Sequence, residues 1–173
     1  MSDHAEKFIE HLAVLKDRDR GAMAALRHSL AFEPGTYPRA FPYVERFAGA
    51  AADERNAHRL ALYAVAGLFA RHPLRRSQSF AAALGELLRL RQSPSIESRF
   101  VALLGADAEN IVEYLRQAVS LLAADGIGFD HARLLVDLSQ WLNPGTDPSR
   151  LRQRWARDFY RAAQPVGEPT DSE

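Results

Sequence analysis

Residues 147–161 read Asp-Pro-Ser-Arg-Leu-Arg-Gln-Arg-Trp-Ala-Arg-Asp-Phe-Tyr-Arg. At about 100° per residue, Leu151, Trp155 and Phe159 fall on one side of a helix, while Arg150, Arg154, Arg157 and Arg161 gather on the other. A strand of period two would mix the two sets. Asp147-Pro148 supplies a cap and a first-turn proline, so the spacing predicts a helix over 148–163 with one packed face and one basic stripe. An ordinary solvated face, with cations favoured in its last turns, is the competing reading of that stripe. Only Asp158 supplies local acid, however, and four aligned arginines repel one another unless something anionic offsets them.

The same period runs through the rest of the chain, so the fold class expected is all-α, a two-lobed bundle of about eight or nine helices. Asp3 with Glu6 is placed to cap a first helix carrying Phe8, Ile9, Leu12 and Leu15. Asp19 is placed to start a second, with Met23, Leu26 and Leu30, that ends before Pro34-Gly35. A short third holds Tyr43, Val44 and Phe47. Asp53 is the expected cap of a long central helix through Leu60, Tyr63, Ala64, Leu68 and Phe69, stopped at His72-Pro73 because the residue before proline disfavours helix. A helix over 80–90 completes an N-terminal lobe, 1–92. Ser93-Pro94 opens a C-terminal lobe, 93–163, with helices near 95–104, 108–124, 130–142 and 148–163. Residues 164–173, with three prolines or glycines and three acids, are expected to form a disordered acidic tail.

With 173 residues, 47% of them hydrophobic and 25% charged, the chain has the composition of a folded domain. No apolar run approaches the roughly 18–20 residues of a membrane span, and the N-terminus lacks a signal-peptide pattern, so the expectation is a cytoplasmic protein without membrane contact. The absence of cysteine excludes disulfides and thiolate chemistry. Twenty-two basic residues balance 22 acidic ones, which excludes a strong long-range pull on nucleic acid. The kind of base matters more: all but Lys7 and Lys16 are arginine. The guanidinium fork donates two hydrogen bonds to a phosphate and keeps its charge at any physiological pH.

Catalytic motifs are missing. There is no Gly-rich phosphate loop with lysine, no His-Glu-x-x-His, no Gly-x-Ser-x-Gly and no Glu-x-x-His, so no enzyme activity, metal or cofactor is expected. Glu54 with His58, and Glu109 with Glu113, lie one turn apart but lack further ligands. Trp141 and Trp155, along with Phe69, Phe100 and Tyr114, have the spacing of core residues rather than of base-stacking platforms. The candidates that remain are arginines. Arg20 and Arg27 share a flank of the second helix; Arg71, Arg75 and Arg76 surround the loop after the fourth; Arg89, Arg91 and Arg99 bracket the lobe junction, where they are placed to line a groove.

Several segments occur in the order and spacing of the CasB family: Asp19-Arg20-Gly21 with Leu26-Arg27; Leu68-Phe69-Ala70; Arg99-Phe100 with Leu103-Leu104; Leu115-Arg116 with Val119 and Leu121-Leu122; Asp137-Leu138 with Trp141; and Arg154 through Tyr160. The chain resembles that family from about Phe8 to Tyr160. The resemblance implies a non-catalytic helical small subunit of the type I-E CRISPR Cascade surveillance complex. Its implied partners are the other Cascade subunits, a second copy of itself, guide RNA and target DNA, including single-stranded DNA. It implies that basic surfaces support the guide, target and displaced strands during R-loop formation, while a recruited nuclease-helicase cuts. Carried onto this sequence, the nucleic-acid-binding residues are Arg27, Arg99 and Arg116, followed by Arg20, Arg154 and Arg157. Such a role requires these guanidinium groups to converge on a continuous track, unspent on internal carboxylates. The competing class is a helical protein–protein adaptor whose arginines only solubilise it.

Overall fold

A computed structural model describes residues 2–50 and 52–167; the expected acidic tail lies largely outside the described residues. Among them are nine α-helices and a short 3-10 turn at Pro38–Ala40, and no strand beyond one isolated parallel bridge between Arg75 and Phe129. The helices are α1 Ser2–Arg18, α2 Arg20–Ser29, α3 Phe41–Ala48, α4 Ala57–Arg71, α5 Phe80–Arg91, α6 Pro94–Leu104, α7 Ile111–Asp125, α8 His131–Trp141 and α9 Ser149–Ala163. The fold is all-α, as the period indicated.

Helix α4 is the axis of the molecule. Every residue from Ala61 to Ala70 is buried, because the helix is apolar all round and is wrapped by α1, α2, α3, α7 and α8. Its small residues set the approach distance: a Cβ at Gly67 would run into the Leu30 side chain and the Leu26 carbonyl of the α2 region. A second tight pairing joins α5 to α9, where a Cβ at Gly85 would collide with the Phe159 carbonyl. Phe159 stacks on Phe100 of α6 at 3.9 Å between ring centroids, tying this pair to the rest of the core. The boundary expected after residue 92 falls in the turn between α5 and α6. There Gln92 caps α5 in the left-handed conformation (φ 51°), while one hydrophobic core continues across the boundary.

Capping explains most helix starts and corrects some expectations. Asp19, Ser79 and Asp130 each accept a backbone N–H from the first turn of α2, α5 and α8, at 2.9, 3.1 and 3.1 Å. Asp3 instead lies within the first turn of α1 and pairs with Lys7 at 3.1 Å. Asp53 spends its carboxylate on the Arg55 N–H inside a turn, so α4 starts four residues later, capped by Asn56 through the Arg59 N–H. At α9, Asp147 accepts from the Ser149 N–H and hydroxyl, and Pro148 stands just before the first helical residue.

Loops are anchored by the same economy of polar groups. The segment after α4 lies along the segment before α8: the Arg76 N–H donates to the Phe129 carbonyl, and the Asp130 N–H to the Gln78 carbonyl. His72 and His131 extend this seam inward, reaching the Ile127 carbonyl at 2.7 Å and the His72 carbonyl at 2.9 Å. Burial holds the His131 imidazole neutral, at a pKa of about 4.

Candidate nucleic-acid interface

The basic stripe of α9 emerges because the opposite face is committed to the core. Leu151, Trp155 and Phe159 are buried, and Arg150, Arg157 and Arg161 are exposed with no carboxylate within ion-pair distance among the described residues. Seven and four residues apart, they lie within a narrow arc of one helix face. Arg154 departs from the stripe. Its guanidinium is held by Asp137 of α8, the same carboxylate that accepts the Trp155 indole N–H at 2.8 Å.

The six arginines singled out by sequence lie on four helices. Arg20 and Arg27 are exposed on α2, which packs on α1, α4 and the 3-10 turn. Arg99 is exposed on α6 and borders a shallow cleft against α7, with Tyr114, Gln117 and Leu121. Arg116 lies on α7, half-buried, 3.6 Å from Glu113 one turn earlier. Arg154 and Arg157 belong to α9, whose main partner is α5. Of the six, Arg20, Arg27, Arg99 and Arg157 have no carboxylate partner among the described residues. These four stand on three helices, α2, α6 and α9.

Of the arginines around the loop after α4 and the lobe junction, Arg71, Arg75, Arg76 and Arg91 are engaged internally. Arg75 pairs with Glu10 of α1 at 2.8 Å, Arg76 lies 3.8 Å from Glu86, and Arg91 is clamped by Asp125 at the end of α7. Arg71 donates to the Ser120 hydroxyl at 2.7 Å. One cleft does gather positive charge. It has a volume of about 440 Å³ at the end of the α5–α9 pair, and Arg76, Arg89 and Arg161 surround it with a single acid, Glu86. The Arg89 Nε is buried there without a partner. The α9 stripe therefore leads, through Arg161, into a pocket of guanidinium groups. Sequence spacing had found the stripe but not its continuation, because Arg76 and Arg161 lie far apart along the chain.

The aromatic expectations divide. Trp141 and Trp155 are core residues, each with its indole N–H satisfied, by the Ala106 carbonyl and by Asp137. Phe69 and Phe100 are buried as well. Tyr114, expected in the core, is 36% exposed, because its position on α7 faces the edge of the α6–α7 cleft rather than the bundle axis. His58 packs on His4 and touches the Ser139 hydroxyl, and Glu54 lies elsewhere, in the loop before α4. Among the described residues no three His, Asp or Glu side chains are grouped to hold a metal, and no helix is long and apolar enough to cross a membrane.

The family model for CRISPR-associated protein Cse2 matches residues 22–160. A CRISPR-associated protein Cse2 from Thermus thermophilus is 44% identical over 163 residues, which cover 91% of this chain and 90% of the relative. The crystal structure of M. ruber CasB matches with a TM-score of 0.75 at 32% identity, covering 92% of this chain and 93% of that one. A chain from a CRISPR RNA-guided surveillance complex shares the fold, with a TM-score of 0.80 at 23% identity and 94% of each chain covered. The matched span runs from the first turn of α2 to the last turns of α9, and the chain belongs to the Cse2 family of CRISPR-associated proteins, also called CasB.

Proposed function

We propose that this protein is a non-catalytic small subunit of an RNA-guided DNA surveillance complex of the Cascade type. In this role its arginine surfaces steady the guide, target and displaced strands during R-loop formation. One observation carries the reading: Arg20, Arg27, Arg99 and Arg157 are exposed and have no carboxylate partner among the described residues, in a chain whose net charge is zero. A subunit delivered to its site by neighbouring subunits needs local cationic faces rather than a long-range field.

Exposed arginines on several helices suit a complex that handles several strands at once. Exchanging a DNA duplex for a guide–target heteroduplex is nearly balanced in free energy, so backbone contacts on either the heteroduplex or the displaced strand tip the outcome. Neutralising about five single-strand phosphates gives a log–log salt slope of roughly −3.5, useful within an assembly and weak for an isolated chain. Arg116 exchanges a solvent-exposed pair with Glu113, worth little in water, for a phosphate. Arg154, tied to Asp137, orients the α9 stripe on which Arg157 acts. The partners are the other subunits, a second copy of the chain, and the nucleic acids, in the cytoplasm.

The test is charge reversal at Arg27, Arg99 and Arg116 together, with strand opening read in the reconstituted complex. The expected outcome is a folded protein that assembles normally and opens target DNA less stably, with Arg157→Glu worsening the defect. Unchanged opening by the triple variant overturns the strand-holding role and favours a helical adaptor that contacts protein alone.

A further inference from the structure

The turn after α2 carries a rigid aromatic pair on the protein surface. Phe32 is 47% exposed, and its ring stacks on that of Tyr37 with centroids 5.0 Å apart and planes 7° from parallel. His28, in the last turn of α2, tilts against both rings at 5.7 and 5.2 Å. The intervening turn is pinned at several points. The Thr36 N–H and hydroxyl both donate to the Glu33 carbonyl, at 3.2 and 2.7 Å. Gly35 takes a positive φ of 81°, and its carbonyl accepts from Arg59, itself gripped by Glu45. A Cβ at Gly35 would strike that guanidinium, so the turn and its anchor fit only with glycine there.

A phenyl group left half in water on so rigid a turn leaves apolar area uncovered that the fold does not need to expose. Its chemical setting narrows what covers it. Arg27 directly precedes His28, and Arg39 follows Tyr37 by two residues on the 3-10 turn that packs against α2. Both are exposed and lack a carboxylate partner among the described residues; Glu33 is the one acid within the turn. A flat hydrophobic face, with two arginines close by in the chain that lack carboxylate partners among the described residues, matches a polyanion that also presents flat faces, which is single-stranded nucleic acid.

We propose that the Phe32–Tyr37 stack is a platform for one unpaired nucleobase, with Arg27 and Arg39 holding the phosphates to either side. The platform rests on the nucleic-acid reading of the chain and adds a base contact to a surface otherwise engaged through backbone charge. Because every base has a π face, the contact is tolerant of sequence. Rigidity matters, since a preorganised pair loses little conformational freedom when the base arrives.

The test uses the full chain and a single-stranded DNA oligonucleotide carrying the fluorescent base 2-aminopurine, titrated at low and moderate salt. Phe32→Ala is expected to weaken binding roughly tenfold and to abolish stacking quench, with the salt slope unchanged, whereas Phe32→Trp restores both. Arg27→Ala is expected to flatten the slope by about 0.7 while keeping the quench. An abasic strand should bind wild type and Phe32→Ala equally. If Phe32→Ala binds and quenches like wild type, the platform is overturned and the backbone contacts stand. If wild type shows no salt-dependent binding to either strand even at low salt, the platform is overturned, and strand opening in the reconstituted complex decides the strand-holding role separately. Intact strand binding by Phe32→Ala, coupled with lost association with companion subunits, identifies a protein dock and also overturns the proposal.

Discussion

The Asp137 carboxylate of α8 takes the Trp155 indole N–H on one oxygen and the Arg154 guanidinium on the other, so one nearly buried acid fixes the register of α9. Removing it leaves a buried indole donor without a partner and frees a guanidinium whose Nε is already unsatisfied. Asp137→Ala is expected to cost about 2–4 kcal/mol, measured by urea unfolding. Asp137→Asn, which keeps an acceptor for the indole, should lose less.

Gly85 sets the distance between α5 and α9. Its missing side chain lets the Phe159 carbonyl and the Ala162 methyl lie directly against the α5 backbone. Gly85→Ala is expected to destabilise by about 1–3 kcal/mol through forced separation of the pair, and Gly85→Leu to exceed that, read as a lowered thermal midpoint. Because the shift displaces Arg157 and Arg161 together, strand affinity in the complex should fall along with stability.

Arg59 joins three elements: its guanidinium donates to Glu45 of α3 at 3.0 and 3.1 Å and to the Gly35 carbonyl, and lies 4.9 Å from the centre of the Tyr63 ring. Hydrogen bonding from Arg59 and Tyr63 holds the Glu45 carboxyl below the usual carboxylate range, and burial, reinforced by Glu45, pushes the Tyr63 phenol up. Arg59→Ala should cost about 1–2 kcal/mol in chemical denaturation, and Arg59→Lys should recover little, because a point charge cannot reproduce the fork. Amide exchange in residues 33–37 should accelerate in both variants.

Acid should weaken the protein through its buried histidines. In the native state burial holds His131 neutral down to about pH 4, while in the unfolded chain it protonates near pH 6.5. Between those values the unfolded state binds the extra proton, so stability falls as pH falls, by on the order of 3 kcal/mol across the interval. His11 and His58, also lowered by burial, act in the same direction. Unfolding free energies measured from neutral pH down to the acid limit should show this slope. His131→Phe should be less stable at neutral pH, its His72 carbonyl left bare, and should show a flatter slope.

Helix positions and the buried faces were legible because both arise from local periodicity. Phe8, Leu12, Met23, Leu26, Leu151, Trp155 and Phe159 all face inward, as their spacing required. The start of α4 was misplaced because Asp53 and Asn56 are both competent caps, and only the geometry of the intervening turn chooses between them. Tyr114 has the spacing of a core residue but lies at the edge of the α6–α7 cleft, a placement set by how the helices pack rather than by local period. The Phe32–Tyr37 stack left no periodic signal at all, because it depends on a turn that folds two rings face to face.

By itself the sequence determined the helical class, the apolar stripe of each helix and the family, since these depend on residues near one another in the chain and on their order. Only the tertiary structure decided which arginines remain free. The carboxylates that neutralise Arg154, Arg91 and Arg75 lie 17, 34 and 65 residues away in sequence, and helix packing alone brings them into contact. Charge is a property of the residue, whereas its availability depends on what the fold places beside it.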